Sequence, residues 1–129
     1  MILLDTHVLV WLGLEPSRLS KAATEAIREA QAIDGLAISA ITLWELSSLL
    51  GRGRIRPLGT IENSIGLLTG IVAIRPITLK IAAACSEFPR DYSGDPADRI
   101  IGATARVETM ALITKDQNMR DSGLLHTIW

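Results

Sequence analysis

The chain has 129 residues, with 13 lysines and arginines against 14 aspartates and glutamates, and a formal net charge of -1. A hydrophobic fraction of 48% and a charged fraction of 21% predict a folded protein with a large core and exclude a disordered chain. The near-neutral charge argues against a protein that binds nucleic acid only through bulk positive charge, although specific basic patches are still allowed.

Cysteine use and the N-terminus indicate the compartment. A single cysteine, Cys85, excludes an intramolecular disulfide and a multi-cysteine zinc site, which fits a reducing environment. The N-terminus has no basic segment and reaches an acid at Asp5, so it does not resemble a signal peptide. No apolar run approaches the roughly 20 residues needed to span a bilayer. The sequence therefore predicts a cytoplasmic protein with no membrane segment.

Short apolar runs alternate with helical segments along the chain. We expect strands at residues 1–4, 36–39, 72–74, 110–114 and 126–128. We expect helices at residues 6–14, 21–32, 40–50, 60–68, 78–86, 96–108 and 116–121, with loops at 51–57 and 88–94. No repeat or linker divides this pattern, so residues 1–129 are interpreted as one domain. The alternation predicts an α/β fold with a mostly parallel central sheet, flanked by helices on both faces, and with ligands at the carboxyl ends of its strands.

Acidic residues fall where such a fold places its ligands. Asp5 and Asp116 each follow an apolar strand, and either one alone could simply cap the next helix. Glu45 lies at helical spacing between Ile41 and Leu49 and so interrupts an apolar stripe. A buried carboxylate there must be paired, protonated or bound to metal, and this helix offers no basic residue before Arg52.

Two further acids begin the helix at 96–108. Asp98 continues a face of small and apolar residues through Ile101, Gly102 and Ala105, although it could also complement the helix dipole. Asp95 directly precedes Pro96, and helix capping is therefore its favoured role.

Four of these carboxylates are expected to converge in one pocket. Asp5, Glu45, Asp98 and Asp116 would repel one another there and raise one another's pKa values, and a divalent cation would remove that conflict. Oxygen ligands favour Mg²⁺ or Mn²⁺, and such a cluster with few histidines is typical of metal-assisted phosphodiester hydrolysis.

Four ordered segments carry a family resemblance. They are LLDTHVL at 3–9, ISAITLWEL at 38–46, DPADRIIGATA at 95–105 and LITKD at 112–116. Each is weak alone, but in this order and spacing they cover nearly the whole chain. On these segments the chain resembles the PIN-domain family and, within it, the VapC-type toxins of toxin–antitoxin pairs.

The resemblance implies a PIN-like three-layer sandwich and a Mg²⁺- or Mn²⁺-dependent endoribonuclease that acts on a specific RNA, with tRNA and rRNA as candidates, to inhibit translation. It assigns the family's four acids to Asp5, Glu45, Asp98 and Asp116, and it suggests that the Thr114 hydroxyl orients the site. It further implies a homodimer and inhibition by a cognate VapB-type antitoxin.

Several residues leave more than one interpretation open. Arg99 could contact substrate, pair with a site carboxylate or make a structural pair. His7 follows Asp5 closely, but no neighbouring signature supports a catalytic role. An arginine-rich loop could grip RNA, meet an acidic partner or simply be solvated; its residues are Arg52, Arg54 and Arg56. Trp11 and Trp44 lie on strongly apolar helices, for which core packing is slightly favoured over an interface.

Two competing functions remain at this level. The first is a non-catalytic PIN-like module that binds RNA or a partner. The second is a phosphatase of the haloacid-dehalogenase kind. That class needs a second aspartate two residues after the first, and His7 occupies that position, so this alternative fits poorly.

Overall fold

The computed structural model describes residues 1–129 and contains one five-stranded sheet with helices on both faces. The strands are β1 (Ile2–Leu4), β2 (Leu36–Ser39), β3 (Val72–Arg75), β4 (Leu112–Ile113) and β5 (Thr127–Ile128). The helices are α1 (Thr6–Leu14), α2 (Lys21–Ile33), α3 (Ala40–Gly51), α4 (Ile61–Thr69), α5 (Leu79–Cys85), α6 (Pro96–Val107) and α7 (Gln117–Asp121). A short 3-10 helix at Pro16–Arg18 follows α1.

The strand order is β3-β2-β1-β4-β5, and every neighbouring pair is parallel. The prediction of a mostly parallel sheet is thus confirmed in a stricter form. β1 lies at the centre, between β2 and β4. Because all strands run the same way, the residues that follow β1, β2 and β4 meet at one edge of the sheet.

The hydrophobic core is divided into two layers by the sheet, because successive side chains of a strand point to opposite faces. In β1, Leu4 belongs to one buried cluster and Leu3 to the other. The first cluster packs the sheet against α1, α2 and α3, and the second packs it against α5, α6 and α7. The three-layer sandwich is therefore confirmed.

Three helices, α4, α5 and α7, start one residue later than predicted because a polar residue caps each of them. The side chains of Thr60 and Thr78 each accept a hydrogen bond from the backbone N–H three residues further along, so these threonines precede α4 and α5. The strand predicted at 110–114 is shorter, since only Leu112 and Ile113 pair with β1. No helix is long and apolar enough to cross a membrane.

Candidate active site

Asp5 lies at the carboxyl end of the central strand and is 7% exposed. Its side chain caps α1 by accepting a hydrogen bond from the Thr6 backbone N–H at 2.8 Å. Its other oxygen, Oδ2, accepts a bond from the Thr114 hydroxyl at 2.7 Å. Thr114 is fully buried and also accepts a bond from the Asp116 backbone N–H at 3.0 Å. The hydroxyl predicted to orient the site thus links the ends of β1 and β4.

Glu45 lies on α3 and is held from the neighbouring helix. The Thr6 hydroxyl donates to Glu45 Oε1 at 2.5 Å and lies 2.9 Å from the Thr42 hydroxyl. Thr42, Leu46 and Leu50 form the buried face of α3, so the stripe that contains Glu45 is half-buried at the edge of that face. Glu45 is therefore paired with a threonine hydroxyl rather than with a basic side chain. Its second oxygen, Oε2, has no protein donor.

Asp98 lies in the first turn of α6 and is half-buried. The Ser93 hydroxyl donates to Asp98 Oδ2 at 2.8 Å and also accepts from the Asp95 backbone N–H at 3.1 Å. The Tyr92 hydroxyl donates to the Asp98 carbonyl at 3.1 Å. These bonds fasten the loop before α6 to the carboxylate that α6 presents.

Arg99 completes this fastening from the other side of the loop. Its guanidinium donates to three backbone carbonyls, each at 2.9 Å, which belong to Ser93, Phe88 and Pro89. Arg99 forms no ion pair with a site carboxylate. Of the interpretations left open by the sequence, the structure favours a structural one, in which Arg99 holds the loop rather than a carboxylate.

Asp95 and Asp116 are both helix caps at the mouth of the site. Asp95 Oδ1 accepts from the Ala97 backbone N–H at 2.9 Å, as the Asp-Pro pair predicted. Asp116 Oδ1 caps α7 through the Met119 backbone N–H at 2.9 Å. Each carboxylate has a second oxygen with no protein donor, so capping does not prevent either from facing a ligand.

One pocket of about 510 Å³ contains all of these carboxylates. Its lining comprises Asp5, Glu45, Asp95, Asp98 and Asp116 together with His7, Val8, Trp11 and Lys115. No lysine or arginine forms an ion pair with any of the five acids. The convergence expected from the sequence is therefore found, and the negative charge in the pocket is not balanced by a paired cation.

Burial and this unbalanced charge raise the pKa values of three of the carboxyl groups in the pocket. Burial raises the pKa of Asp98 to about 7, and the negative charges of Asp5, Asp95 and Asp116 add to the effect against the opposing bond from Ser93. Burial also raises the pKa of Asp5, although bonds from Thr114 and Thr6 oppose it. The pKa of Glu45 is raised by burial and by the charges of Asp5 and Asp95, against the bond from Thr6.

Comparison with known proteins agrees with this geometry. The family model described as "PIN domain" matches residues 2–123. The chain belongs to the PIN-domain family. It is also 40% identical to Ribonuclease VapC22 of Mycobacterium tuberculosis over 119 residues, which are 92% of this chain and 89% of that protein.

Solved structures with the same PIN fold come from toxin–antitoxin systems. The chain superposes with a TM-score of 0.75 on VapBC2 from Rickettsia felis bound to a DNA fragment from their promoter, at 17% identity over 98% of this chain and 97% of that one. It superposes with a TM-score of 0.68 on a toxin–antitoxin complex from Klebsiella pneumoniae, at 23% identity over 100% and 97% of the two chains. At these identities the likeness supports the fold alone.

The donor set of this PIN domain fits a hard divalent cation. Carboxylate oxygens without a protein donor face the pocket. A cation would offset the burial and the repulsion that raise the pKa values of Asp5, Glu45 and Asp98. No three acidic, histidine or cysteine side chains lie close enough together to form a ready-made metal-binding group. This spacing is compatible with Mg²⁺, which usually keeps several waters and takes only one or two carboxylates directly.

The side chains that hold the acids were not among the residues predicted from the sequence. Thr6 and Ser93 donate to Glu45 and Asp98, and Lys115 lies at the rim of the pocket. Only the position of Thr6, directly after Asp5, offered a signal in the sequence. Ser93 lies in a loop whose path could not be predicted.

The aromatic residues of the two apolar helices differ from each other. Trp11 is half-buried at the pocket, with its ring centroid 6.0 Å from His7 and 5.9 Å from Trp129. Trp44 is 64% exposed, so the expectation of core packing is wrong for this residue. The reason is that α3 is apolar on most sides and buries only the face opposite Trp44.

Proposed function

We propose that this PIN domain, formed by residues 1–129, is the metal-dependent endoribonuclease of a VapBC-type toxin–antitoxin pair. It hydrolyses a phosphodiester bond in a specific RNA, for which tRNA and rRNA are the first candidates, and thereby inhibits translation. The observation that carries the proposal is one pocket that contains four carboxylates without a basic partner: Asp5, Glu45, Asp98 and Asp116. A relative that is 40% identical to this chain is named a ribonuclease.

The acids divide into cation-holding and water-activating roles. Asp5, Asp98 and Asp116 would hold Mg²⁺ or Mn²⁺ directly or through water, and Glu45 would complete the site. A bound cation would lower the pKa of a coordinated water and offset the charge that develops on the phosphate.

Glu45 is the residue placed to orient or deprotonate the attacking water. Its Oε1 is fixed by Thr6, and its Oε2 is available to accept a proton. Because its pKa is raised, it is a stronger base than an ordinary surface glutamate. Water then attacks in line without a covalent intermediate, and the products carry 5′-phosphate and 3′-hydroxyl ends.

Incubation of total cellular RNA with purified protein tests this proposal. The reactions contain Mg²⁺, Mn²⁺ or a chelator, and they compare the wild type with Asp98→Asn and Asp91→Asn. The amide introduced by Asp98→Asn can still accept the bond from Ser93, whereas Asp91 is exposed and has no hydrogen-bonded side-chain partner. We expect discrete metal-dependent fragments from the wild type and Asp91→Asn and none from Asp98→Asn.

Two results would contradict it. Equal fragments from Asp98→Asn would indicate a contaminating nuclease, and RNA binding without cleavage by a folded, antitoxin-free wild type would favour a non-catalytic module.

The expected partners are a VapB-type antitoxin and a second copy of the chain. The structural neighbours are toxin–antitoxin complexes, which is the support for this part of the proposal. Co-expression with the small protein encoded beside this one should yield a complex in which RNA cleavage is suppressed, and the sedimentation mass of the free protein should correspond to a homodimer. Unchanged cleavage in the presence of that small protein would exclude it as the antitoxin.

A further inference from the structure

An exposed strip on α3 leads away from the acid pocket. Trp44 is exposed and Ser48 half-buried on one face of α3, and Arg52 follows at the same spacing as the C-cap of the helix, so the three span about 12 Å at 1.5 Å per residue. We call these three residues the α3 strip. They line a depression of about 220 Å³ that shares Glu45, Asp95 and His7 with the acid pocket.

The α3 strip has no partner within the chain. Trp44 is 64% exposed and makes no aromatic or cation–π contact. Arg52 is exposed and forms no ion pair. Trp11, the other tryptophan near the site, is already engaged by Trp129 and lies 4.6 Å beneath the Arg18 guanidinium. Lys115 also lies 5.9 Å from the Trp11 ring. Trp44 is therefore the tryptophan beside the site that has no aromatic or cation–π contact of its own.

The charge of the pocket explains why such a strip is needed. A polyanion that approaches Asp5, Asp98 and Asp116 is repelled, and a net charge of -1 provides no general attraction. Lys115 is the single lysine or arginine that lines the pocket beside five acids. A strand that enters the pocket therefore gains affinity from contacts beside it. A base gains affinity by stacking on an indole, and a phosphate gains it from a guanidinium.

We propose that the α3 strip binds the single-stranded RNA nucleotides next to the scissile phosphate, with a base stacked on Trp44 and a phosphate contacted by Arg52. This inference rests on the proposed ribonuclease function. It assigns a role to Arg52 within the arginine-rich loop and separates it from Arg56, which lines an apolar groove elsewhere on the molecule.

The first test measures binding of a pool of short single-stranded RNAs of random sequence in the presence of chelator. The variants are Trp44→Leu, Trp44→Phe, Arg52→Gln and, as a control, Arg28→Gln, an exposed arginine of α2 that lines neither pocket. Loss of one base stack predicts about a 5-fold to 150-fold rise in Kd for Trp44→Leu. Trp44→Phe retains a stacking face and should lie close to the wild type.

Salt dependence separates the two contacts. For single strands, affinity falls as salt rises, and each lost phosphate contact makes the slope of log affinity against log salt less steep by about 0.7. We expect that decrease for Arg52→Gln and an unchanged slope for Trp44→Leu and Arg28→Gln. A merely structural role of either residue would not produce this pattern.

The second test measures cleavage of the same RNA with Mn²⁺. Trp44→Leu should raise KM with kcat within about twofold of the wild type, because stacking on a remote base contributes uniform binding. If the wild type shows metal-dependent cleavage and Trp44→Leu has the same KM and Kd, the proposed role of the α3 strip is wrong, but the ribonuclease function is still supported. If the wild type cleaves no RNA but Trp44→Leu still weakens RNA binding, the result would support the strip and refute the ribonuclease.

Sedimentation of the same variants tests the competing occupant. If Trp44→Leu changes the mass of the particle or its binding to an antitoxin, and leaves RNA affinity unchanged, a protein surface covers Trp44 and the proposal is wrong. We expect the mass to be unchanged.

Discussion

Replacing Asp98 by Asn should stabilise the metal-free protein while it abolishes cleavage. Burial of the Asp98 carboxylate, together with the nearby charges of Asp5, Asp95 and Asp116, raises its pKa to about 7 from the ordinary 3.8. Because the folded state binds this proton more tightly than the unfolded state, the stability of the wild type falls as the pH rises from 3.8 towards 7. Above about pH 7 the full free-energy cost of the ionised carboxylate opposes folding, and below pH 3.8 that cost disappears.

The magnitude follows from the two pKa values. At 1.36 kcal/mol per pKa unit their difference corresponds to an upper bound of about 4 kcal/mol, and partial exposure of the carboxyl group reduces this to about 1–2 kcal/mol. For a chain of this length, the melting temperature of Asp98→Asn should exceed that of the wild type by about 3–10 °C at about pH 8 in chelator. The difference should shrink as the pH falls towards 4.

Thermal unfolding across this pH range, followed by circular dichroism, checks the prediction. The control is Asp91→Asn, which removes an exposed acid outside the pocket and should shift the melting temperature little at any pH. Addition of Mn²⁺ should raise the melting temperature of the wild type more than that of Asp98→Asn. An Asp98→Asn protein that melts at or below the wild type near pH 8 would refute the argument that the buried, ionised Asp98 carboxylate opposes folding.

Three further variants test the groups that hold the acids. Thr114→Val removes the hydroxyl that bridges Asp5 and the Asp116 backbone, and it should cost about 1–3 kcal/mol of unfolding free energy in denaturant titrations, whereas Thr114→Ser should stay near the wild type. Gly102→Ala should lower the unfolding free energy by about 1–3 kcal/mol, since its Cβ would clash with the Tyr92 hydroxyl and lie 2.7 Å from Phe88 Cε2. Gly51→Ala, with open space around it, is the control. Arg99→Met leaves three carbonyls without their donor, so hydrogen exchange and proteolysis should increase within residues 88–94, and cleavage should fall with the loss of Asp98 positioning. Unchanged exchange in that segment would show that the loop is held by other contacts.

The sequence was sufficient to predict the elements that carry the acids. Asp5 and Asp116 follow apolar strands, and Asp95 precedes a proline, so local chemistry alone predicts where each of these elements begins or ends. The parallel sheet follows from the alternation of strands and helices, and its geometry brings the acids to one edge.

The unpredicted features depend on contacts between distant segments. The Thr6–Glu45 bond joins residues 39 apart. The helix α3 is apolar on most sides, so its sequence pattern gives little indication of which face is buried. Packing against the core selected Thr42, Leu46 and Leu50 as the buried face, and this choice exposed Trp44. The path of the loop that places Ser93 against Asp98 likewise depends on the guanidinium of Arg99.

The position of β1 in the sheet explains why the acids are not equivalent. Asp5 follows the central strand, so it has β2 and α3 on one side and β4 on the other. Thr6 links it to Glu45 in the first direction, and Thr114 links it to the Asp116 backbone in the second. A change at Asp5 therefore disturbs both flanks of the pocket together with the cap of α1. Asp98 arrives from α6 and is held by the loop before it, so its charge can be removed while the sheet edge is left intact. For this reason Asp98 is the better position at which to separate the chemistry of the pocket from the stability of the fold.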